Sequence, residues 1–269
     1  MKSVRLILSV LAVMSMAACS KGNEDDIPES GFDNGSGNGG GLGSTAKYVK
    51  SLITWVYLGG NCVEFKELIF SYDSSNRLSE MITVGDDLDD SGIFKYAYGL
   101  DTVISTCEDI DYNYTCAYYF TGGLLVKGQM DTDRGIEYLY QNGAEHPYKG
   151  IDIYDHSLAN ISWSPAGNLV SYETDSSSHT FTYTDYRNKL NVDLINWHTG
   201  MFSNYDMMAS SVFKSVVSTY LPSKMVYEDD NNVYHEERFT YKFDDEGYPT
   251  EIKIAEADGD LWIIYKITY

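Results

Sequence analysis

Residues 86–92 contain the side chains of a calcium-binding loop, in the order Asp-Asp-Leu-Asp-Asp-Ser-Gly. Asp87, Asp89 and Ser91 fall at the first, third and fifth positions of such a loop, where carboxylate and hydroxyl oxygens bind Ca²⁺. The twelfth position is Tyr98 rather than the glutamate that would bind through both oxygens. A metal site at Asp87, Asp89 and Ser91 is therefore one interpretation, and a solvated acidic turn between two strands is the other.

Other sequence patterns for catalysis or cofactor binding are absent. There is no His-Glu-x-x-His, no Gly-x-Ser-x-Gly and no phosphate-binding loop. Acidic residues outnumber Lys and Arg by 40 to 19, so neighbouring carboxylates are expected by chance and do not identify a glycoside hydrolase. We predict no catalytic residue and no cofactor. A non-catalytic binding or structural module is the favoured function, and a hydrolase of polymers with paired carboxylates is the alternative.

The N-terminal residues have the pattern of an export signal. A basic start and a short apolar stretch at 6–13 are followed by Ala17–Ala18 and then Cys19. The apolar stretch is shorter than the ~20 residues that a membrane-spanning helix needs. This pattern resembles the lipobox of bacterial lipoproteins, although Met16 stands where leucine is usual. The resemblance implies a signal peptide at 1–18, cleavage before Cys19 and lipid attachment to its thiol.

The residues after Cys19 predict a flexible tether. An acidic cluster at 24–26 is followed by a stretch at 31–44 that is rich in Gly, Asn and Ser. Such a stretch cannot bury apolar surface and stays a flexible coil. We therefore expect a lipid anchor and tether at 19–47 and one domain at 48–269. The acidic cluster resembles the signal that sends lipoproteins of Bacteroides-type bacteria to the cell surface, which implies an outer-membrane, surface-exposed location.

The charge of the chain excludes one class of partner. Its formal net charge is −21, which repels DNA, RNA and anionic lipid. We therefore predict no nucleic-acid binding, and attachment to a membrane through the lipid anchor only. Hydrophobic residues make up 43% of the chain, which is ample for a core.

Alternation of apolar and polar residues dominates the domain. Phe94, Tyr96 and Tyr98 share one face of a predicted strand, and Phe239, Tyr241 and Phe243 share one face of another. Strands with one apolar face are typical of antiparallel sheets. The exception is a stretch near 201–219, where apolar residues recur every three or four positions. It predicts one helical or irregular insertion that covers an edge or an end of the sheet.

A strand–turn–strand unit recurs along the chain. Asp, Ser, Asn and Gly, which favour tight turns, occur near 74–76, 122–123, 166–167 and 246–247. A single hairpin is marginally stable, so these units are expected to pair in series. The predicted fold class is all-β, with an antiparallel meander curved into a half-barrel or barrel.

The first of these turns, Tyr72-Asp73-Ser-Ser-Asn76-Arg77, resembles the YD repeat, with Asn76 where glycine is usual. Together with Cys19, the tether and Leu221–Pro222, it is similar to a family of gut-bacterial lipoproteins of unknown function with a porin-like fold. The resemblance covers roughly residues 50–269. It implies an architecture and a location, and it carries over no catalytic residue.

Tyrosine is over-represented, with 24 residues. Two pairs of tyrosines are candidate ligand-binding residues, namely Tyr112 with Tyr114 and Tyr138 with Tyr140. The two members of each pair point to the same side of a predicted strand. Their acidic neighbours Asp109, Asp111 and Glu137 favour a neutral glycan or a basic protein partner. Packing of the tyrosines within a thin sheet is the alternative.

Three cysteines follow the anchor, at 62, 107 and 116. An exported protein meets an oxidising compartment, so a disulfide is permitted, although its connectivity cannot be read from a sequence. Cys107 and Cys116 lie on neighbouring predicted strands. They form the predicted pair.

Overall fold

The computed structural model describes residues 46–85, 91–109, 113–130, 134–194, 198, 213–228, 233–257, 259 and 261–269. Thr45–Tyr269 form one compact unit. The predicted signal peptide, Cys19 and nearly all of the predicted tether lie outside the described residues, so they stay predictions.

Sixteen strands form a closed antiparallel barrel. Each strand pairs with its neighbours along the chain, and the first pairs with the last, so that Leu52 lies opposite both Leu68 and Ile267. This confirms the all-β prediction and shows that the sheet closes. The strands are β1 (Ser51–Leu58), β2 (Asn61–Tyr72), β3 (Leu78–Gly85), β4 (Gly92–Tyr98), β5 (Thr102–Asp109), β6 (Asn113–Thr121), β7 (Leu124–Gln129), β8 (Gly135–Leu139), β9 (Lys149–Asp152), β10 (Leu158–Trp163), β11 (Leu169–Glu173), β12 (Ser178–Arg187), β13 (Tyr220–Glu228), β14 (Tyr234–Phe243), β15 (Pro249–Glu256) and β16 (Leu261–Thr268).

The inner face of the barrel is apolar and tightly packed. Phe94 and Tyr96, predicted to share a face, are 7% and 6% exposed. The side chains that are almost fully buried come from strands around the whole circumference; they include Leu52, Leu68, Leu78, Met81, Tyr118, Leu125, Leu221 and Ile252. Side chains from all around the inner face are therefore buried together in one core.

The outer face carries charged side chains over most of the barrel. Lys95 on β4 lies 2.8 Å from Glu108 on β5, and Lys242 on β14 lies 2.9 Å from Glu251 on β15. Residues on opposite strands in register are close enough for such pairs. Since the pairs are exposed, each contributes little to stability, but they keep this face compatible with water.

Three of the predicted turns share one hydrogen-bond pattern. In the β2–β3 turn the Asp73 N–H donates to the Arg77 carbonyl, and the Asn76 N–H donates to the Asp73 carbonyl. The same two bonds recur from Ser164 and Asp244. Asn76 has a φ of 60°, in the left-handed region that Gly167 and Gly247 occupy in the other two turns. The structure therefore explains why asparagine replaces glycine here.

The side chain of Asp73 holds the first turn together, and we expect its loss to matter most above pH 4. Its Oδ1 accepts from the Ser75 and Arg77 N–H groups, and Oδ2 accepts from the Arg77 guanidinium at 2.8 Å. The Arg77 backbone bond first, then its side chain, lower the pKa of Asp73. A depressed carboxyl pKa stabilises the fold above the unfolded value of roughly 3.9, and this stability is lost as the pH falls through the folded pKa.

Asp73→Ala should therefore melt at a lower temperature than the wild type at pH 7, and the difference should shrink below about pH 4. Thermal unfolding followed by circular dichroism across pH measures this. Asp245→Ala, at an exposed residue of the β14–β15 turn, is the control and should not show the same pH-dependent gap. A gap for Asp73→Ala that stays constant down to acidic pH would contradict the assignment.

The connection between β12 and β13 covers one end of the barrel, which we call the capped end. Val192 and Phe213 are 0% exposed, and Val49, at the start of the domain, is buried beside them. The Asn191 amide accepts from the Val49 N–H at 2.9 Å and donates to the Tyr72 hydroxyl at 2.7 Å. Burial is the main cause that raises the pKa of Tyr72 to about 12, so it stays a hydrogen-bond donor at neutral pH.

Two serines in the last part of this connection, just before β13, contact tyrosine hydroxyls of the barrel wall. Ser215 lies 3.1 Å from the Tyr140 hydroxyl, and Ser218 lies 2.8 Å from the Tyr183 hydroxyl. The predicted insertion near 201–219 thus covers an end of the barrel, as far as it is described; its described helical part is the short 3₁₀ helix Lys214–Val216. Among the residues described, none of the helices is long and apolar enough to cross a membrane.

Candidate functional site

The structure places three of the four predicted ligand-binding tyrosines on the inner face. Tyr138 is 4% exposed, and Tyr114 packs against the core. The Tyr140 hydroxyl donates to the Leu125 carbonyl at 2.7 Å, beside the capped end. Tyr112 lies outside the described residues. The prediction that these tyrosines form a water-facing row is therefore wrong for Tyr114, Tyr138 and Tyr140, because the apolar residues with which they share a face turn them inward.

The predicted disulfide is not formed in the structure. Cys107 and Cys116 are both buried as thiols on the inner face of β5 and β6. The register separates them, because Cys107 lies opposite Tyr114 and Cys116 lies opposite Ser105. A disulfide joins residues that approach more closely than such a diagonal pair.

The predicted metal ligands Asp87 and Asp89 lie outside the described residues, and Ser91 is half-buried just before β4. Within the described ranges, no group of three or more His, Cys, Asp or Glu side chains could hold a metal ion. The calcium site stays a prediction.

The topology gathers acidic connections at the end of the barrel opposite the capped end, which we call the acidic end. In an antiparallel meander, alternate connections lie at the same end. Those at the acidic end are residues 59–60, 86–91, 110–112, 130–134, 153–157, 174–177, 229–233 and 257–260. All but 59–60 contain aspartate, and Arg134 is the one Lys or Arg in their sequence. Asp155 and Asp175 are among the described residues, and the other aspartates of these connections are taken from the sequence alone; they are Asp86, Asp87, Asp89, Asp90, Asp111, Asp131, Asp133, Asp229, Asp230, Asp258 and Asp260.

Two strongly exposed tyrosines lie among these connections. Tyr154, between β9 and β10, is 71% exposed, and Tyr234, at the start of β14, is 70% exposed. Tyr234 lies opposite Glu228 in the register. A hydrogen bond to that carboxylate is the first cause that raises the pKa of Tyr234. Aromatic rings beside carboxylates can contact both the charge and the alkyl chain of Lys or Arg.

A polar cluster lines the inner wall towards the acidic end. His198, on the β12–β13 connection, lies with its Nε2 2.8 Å from Glu237 on β14, and both side chains are only 9% exposed. The Tyr265 hydroxyl on β16 lies 3.3 Å from His198 Nδ1. Burial, followed by the charges of Glu237 and Glu64, raises the pKa of Tyr265, so it is a donor at neutral pH. His198 can therefore donate to Glu237 while it accepts from Tyr265.

A row of rings continues this polar lining to the rim. His179 stacks on Tyr227 with ring centroids 5.7 Å apart, and Tyr227 stacks on His235 at 4.6 Å. His235 Nδ1 lies 3.9 Å from Glu256, which is directly opposite Glu237 in the register. The interior thus contains a further group of ionisable side chains towards the acidic end.

The aspartates of the connections are a sequence signal for this site, and the prediction based on paired tyrosines did not use them. Seven of the eight connections at this end carry aspartate, and Tyr154 and Tyr234 adjoin two of them. The order of the strands in an antiparallel meander is enough to predict that these connections lie at the same end of the barrel. The cluster around His198 has no local signal, because its members come from a connection and two strands that are far apart in the chain.

Comparisons with known proteins support the fold. No protein-family model and no curated protein matches the sequence. Among solved structures, the chain is similar to a porin-like protein from Bacteroides uniformis, with a TM-score of 0.59 and 13% identity over 82% of this chain and 96% of that one. It is also similar to a porin-like protein from Bacteroides vulgatus, with a TM-score of 0.56 and 14% identity over 82% and 98% of the two chains. The fold expected from the resemblance is therefore confirmed, and this chain shares it with porin-like proteins of Bacteroides.

Proposed function

We propose that this protein is a lipid-anchored, surface-exposed outer-membrane lipoprotein whose acidic end binds a basic protein partner without catalysis. The observation that carries the proposal is the set of aspartate-containing connections at one end, with Tyr154 and Tyr234 exposed among them. Clustered charge of one sign steers a partner of opposite charge and fixes its orientation. Exposed tyrosines supply rigid contact area at small cost in side-chain entropy.

A basic protein fits this end better than a neutral glycan. A neutral sugar can donate its hydroxyls to carboxylates and stack on ring faces, but it is not attracted by the net charge of the cluster. Lys and Arg side chains gain from the carboxylates and from the two rings together. The sequence predicted either a neutral glycan or a basic protein as the partner, and the proposal keeps the basic protein.

The packing of the interior supports binding rather than passage through the barrel. Sixteen-stranded porins leave a water-filled channel and carry an apolar outer band with a polar lumen. Here the described inner face is largely apolar and buried, while Lys95, Glu108, Lys242 and Glu251 lie on the outer face.

The alternative, a hydrolase with paired carboxylates, has a candidate pair in Glu237 and Glu256 among the described residues. Glu237 is 7% exposed and is already bonded to His198. A glycosidase acid pair must flank a bound sugar. The His198–Glu237 contact occupies that position, so the geometry favours a structural role for these carboxylates.

Neutralising the acidic end should weaken binding of a cationic probe. We expect Asp229→Asn/Asp230→Asn/Asp258→Asn to bind an octa-arginine peptide roughly tenfold more weakly than the wild type, because each exposed pair is worth roughly 0.2–1 kcal/mol. Isothermal titration calorimetry at low and physiological salt measures this. Tyr154→Ala/Tyr234→Ala should also weaken binding.

The matched control removes three charges from the capped end, as Asp101→Asn/Glu145→Gln/Asp245→Asn. It changes the net charge equally, and its affinity should stay within about twofold of the wild type. Equal losses in the two triple variants would show that only the net charge matters, and the acidic end would then not be the site.

A further inference from the structure

Among the described residues, an apolar region of the outer face lies where the first and last strands meet. Outward side chains of β16, β1, β2 and β3 form it, and we call it the seam face; its members are Ile53, Trp55, Tyr57, Phe65, Ile69, Ile82, Val84, Trp262 and Ile264. Ile69 and Val84 are 39% and 42% exposed. This region contrasts with the charged outer face of β4, β5 and β14.

Two pairs of rings form the centre of the seam face. Trp262 lies flat on Tyr57, with centroids 3.8 Å apart and planes 2° from parallel, and the Lys253 ammonium lies 4.3 Å from the Trp262 centroid. In the next row, Phe65 meets Trp55 edge-on at 5.9 Å, and the Lys266 ammonium lies 5.1 Å from the Trp55 centroid. Each tryptophan is therefore held between a lysine and a second ring.

This arrangement presents ring edges rather than ring faces to the outside. A sugar needs an open ring face for stacking, and in Trp262 Tyr57 and Lys253 lie against the ring. Glycan binding by stacking on Trp262 is thus disfavoured. Trp and Tyr edges with lysines beside aliphatic side chains are instead the composition of proteins at the headgroup level of a bilayer, where the lysine alkyl chains lie along the surface and the ammonium groups reach lipid phosphate.

The position of the seam face along the chain also favours contact with a membrane. β1 is central to it, and β1 is the strand that follows the predicted tether at 19–47. The chain reaches β1 at the capped end, where Lys47 pairs with Asp244 and Glu246 of the β14–β15 turn, so the predicted tether joins the barrel at the end of the strand that is central to this face. The charges beside the tryptophan rings are lysines, although the net charge of the whole chain is −21, and Glu67 also lies on this face, opposite Ile53 and Val84 in the register.

We propose that the seam face, formed by Trp55, Trp262 and their outward neighbours, lies against the zwitterionic phospholipid headgroups of a membrane. This goes beyond the expectation that the lipid anchor alone makes the attachment. It uses the proposed anchor to bring the face to the membrane, and it is independent of partner binding at the acidic end. Contact at the interface leaves the barrel outside the hydrocarbon core.

The test uses Cys19→Ala protein, which has no lipid, so that failure of the anchor and failure of the seam face are distinguishable. Added phosphatidylcholine vesicles should shift its tryptophan emission to shorter wavelength, and brominated phosphatidylcholine should quench it. Ile69→Thr/Val84→Thr/Ile264→Thr should lower the partition coefficient about tenfold, because three apolar contacts are lost while β-branched side chains are kept.

The matched control, Ile104→Thr/Ile151→Thr/Val226→Thr, makes the same three exchanges on outward positions of β5, β9 and β13, and its partition should equal that of the parent. Far-ultraviolet circular dichroism of both triple variants confirms that they fold. No spectral change with excess vesicles, equal losses in the two triple variants, or seam-dependent capture of a protein without any vesicle binding would each overturn the proposal.

Discussion

Phe213→Ala is expected to lower the free energy of unfolding by about 3–5 kcal/mol, the range for truncation of a fully buried phenylalanine. Phe213 is 0% exposed at the capped end. Its ring meets that of Tyr118 at 4.9 Å in an edge-to-face contact, and it lies 5.7 Å from Phe120. The substitution would leave a cavity between the β12–β13 connection and the inner wall at β6. Urea unfolding followed by circular dichroism measures the loss.

Phe213→Leu is the control, since it keeps most of the volume and should cost less than half as much. Amide hydrogen exchange should show faster exchange in the Ala variant at residues 213–219 than in β4 or β5. An Ala variant as stable as the wild type would mean that the connection is not packed into the end of the barrel.

Cys19→Ala is expected to move the protein from the membrane fraction to the soluble fraction of cells. The alanine cannot carry a thioether-linked diacylglycerol, and two acyl chains provide stable membrane attachment. Any contact made by the seam face alone is reversible, so washing removes it. Membrane fractionation with immunoblotting measures the distribution.

Cys62→Ala keeps the proposed lipidation site and should stay in the membrane fraction. Release of the wild type only by detergent, together with release of Cys19→Ala by buffer alone, is the expected pattern. A Cys19→Ala protein that still needs detergent for its release would contradict the anchor.

Turn chemistry made much of the fold predictable. Asp73, Asn76 and Gly247 act through contacts within a few residues, and all four predicted turns join consecutive strands. Alternation likewise grouped the residues that share one face of β4 and one face of β14, and both of these faces are buried. Closure was not predictable, because the pairing of Leu52 with Ile267 depends on the accumulated curvature of sixteen strands.

Alternation shows which residues share a face but not which face is buried. Tyr138 and Tyr140 do share a face, yet that face also contains Ile136 and turns inward. An amphipathic ring satisfies either environment, so tyrosine alone could not decide between them.

Contacts between distant strands explain the other differences. Cys107 and Cys116 are on adjacent strands as predicted, but a register offset decides that they do not pair. His198, Glu237 and Tyr265 come together only when the barrel closes. Neither the register of the two cysteines nor the contact among these three residues can be predicted from a local sequence pattern.

Carboxyl footprinting on intact cells tests the central claim, that the acidic end binds a partner, most directly. A water-soluble carbodiimide with an amine label is applied to cells and to the purified protein, and mass spectrometry compares peptides from the two ends. We predict that Asp229, Asp230, Asp258 and Asp260 are labelled severalfold less on cells, while Asp101 and Asp245 at the capped end are labelled equally in both. Equal labelling of the acidic end in both samples, or protection confined to the capped end, would contradict the account.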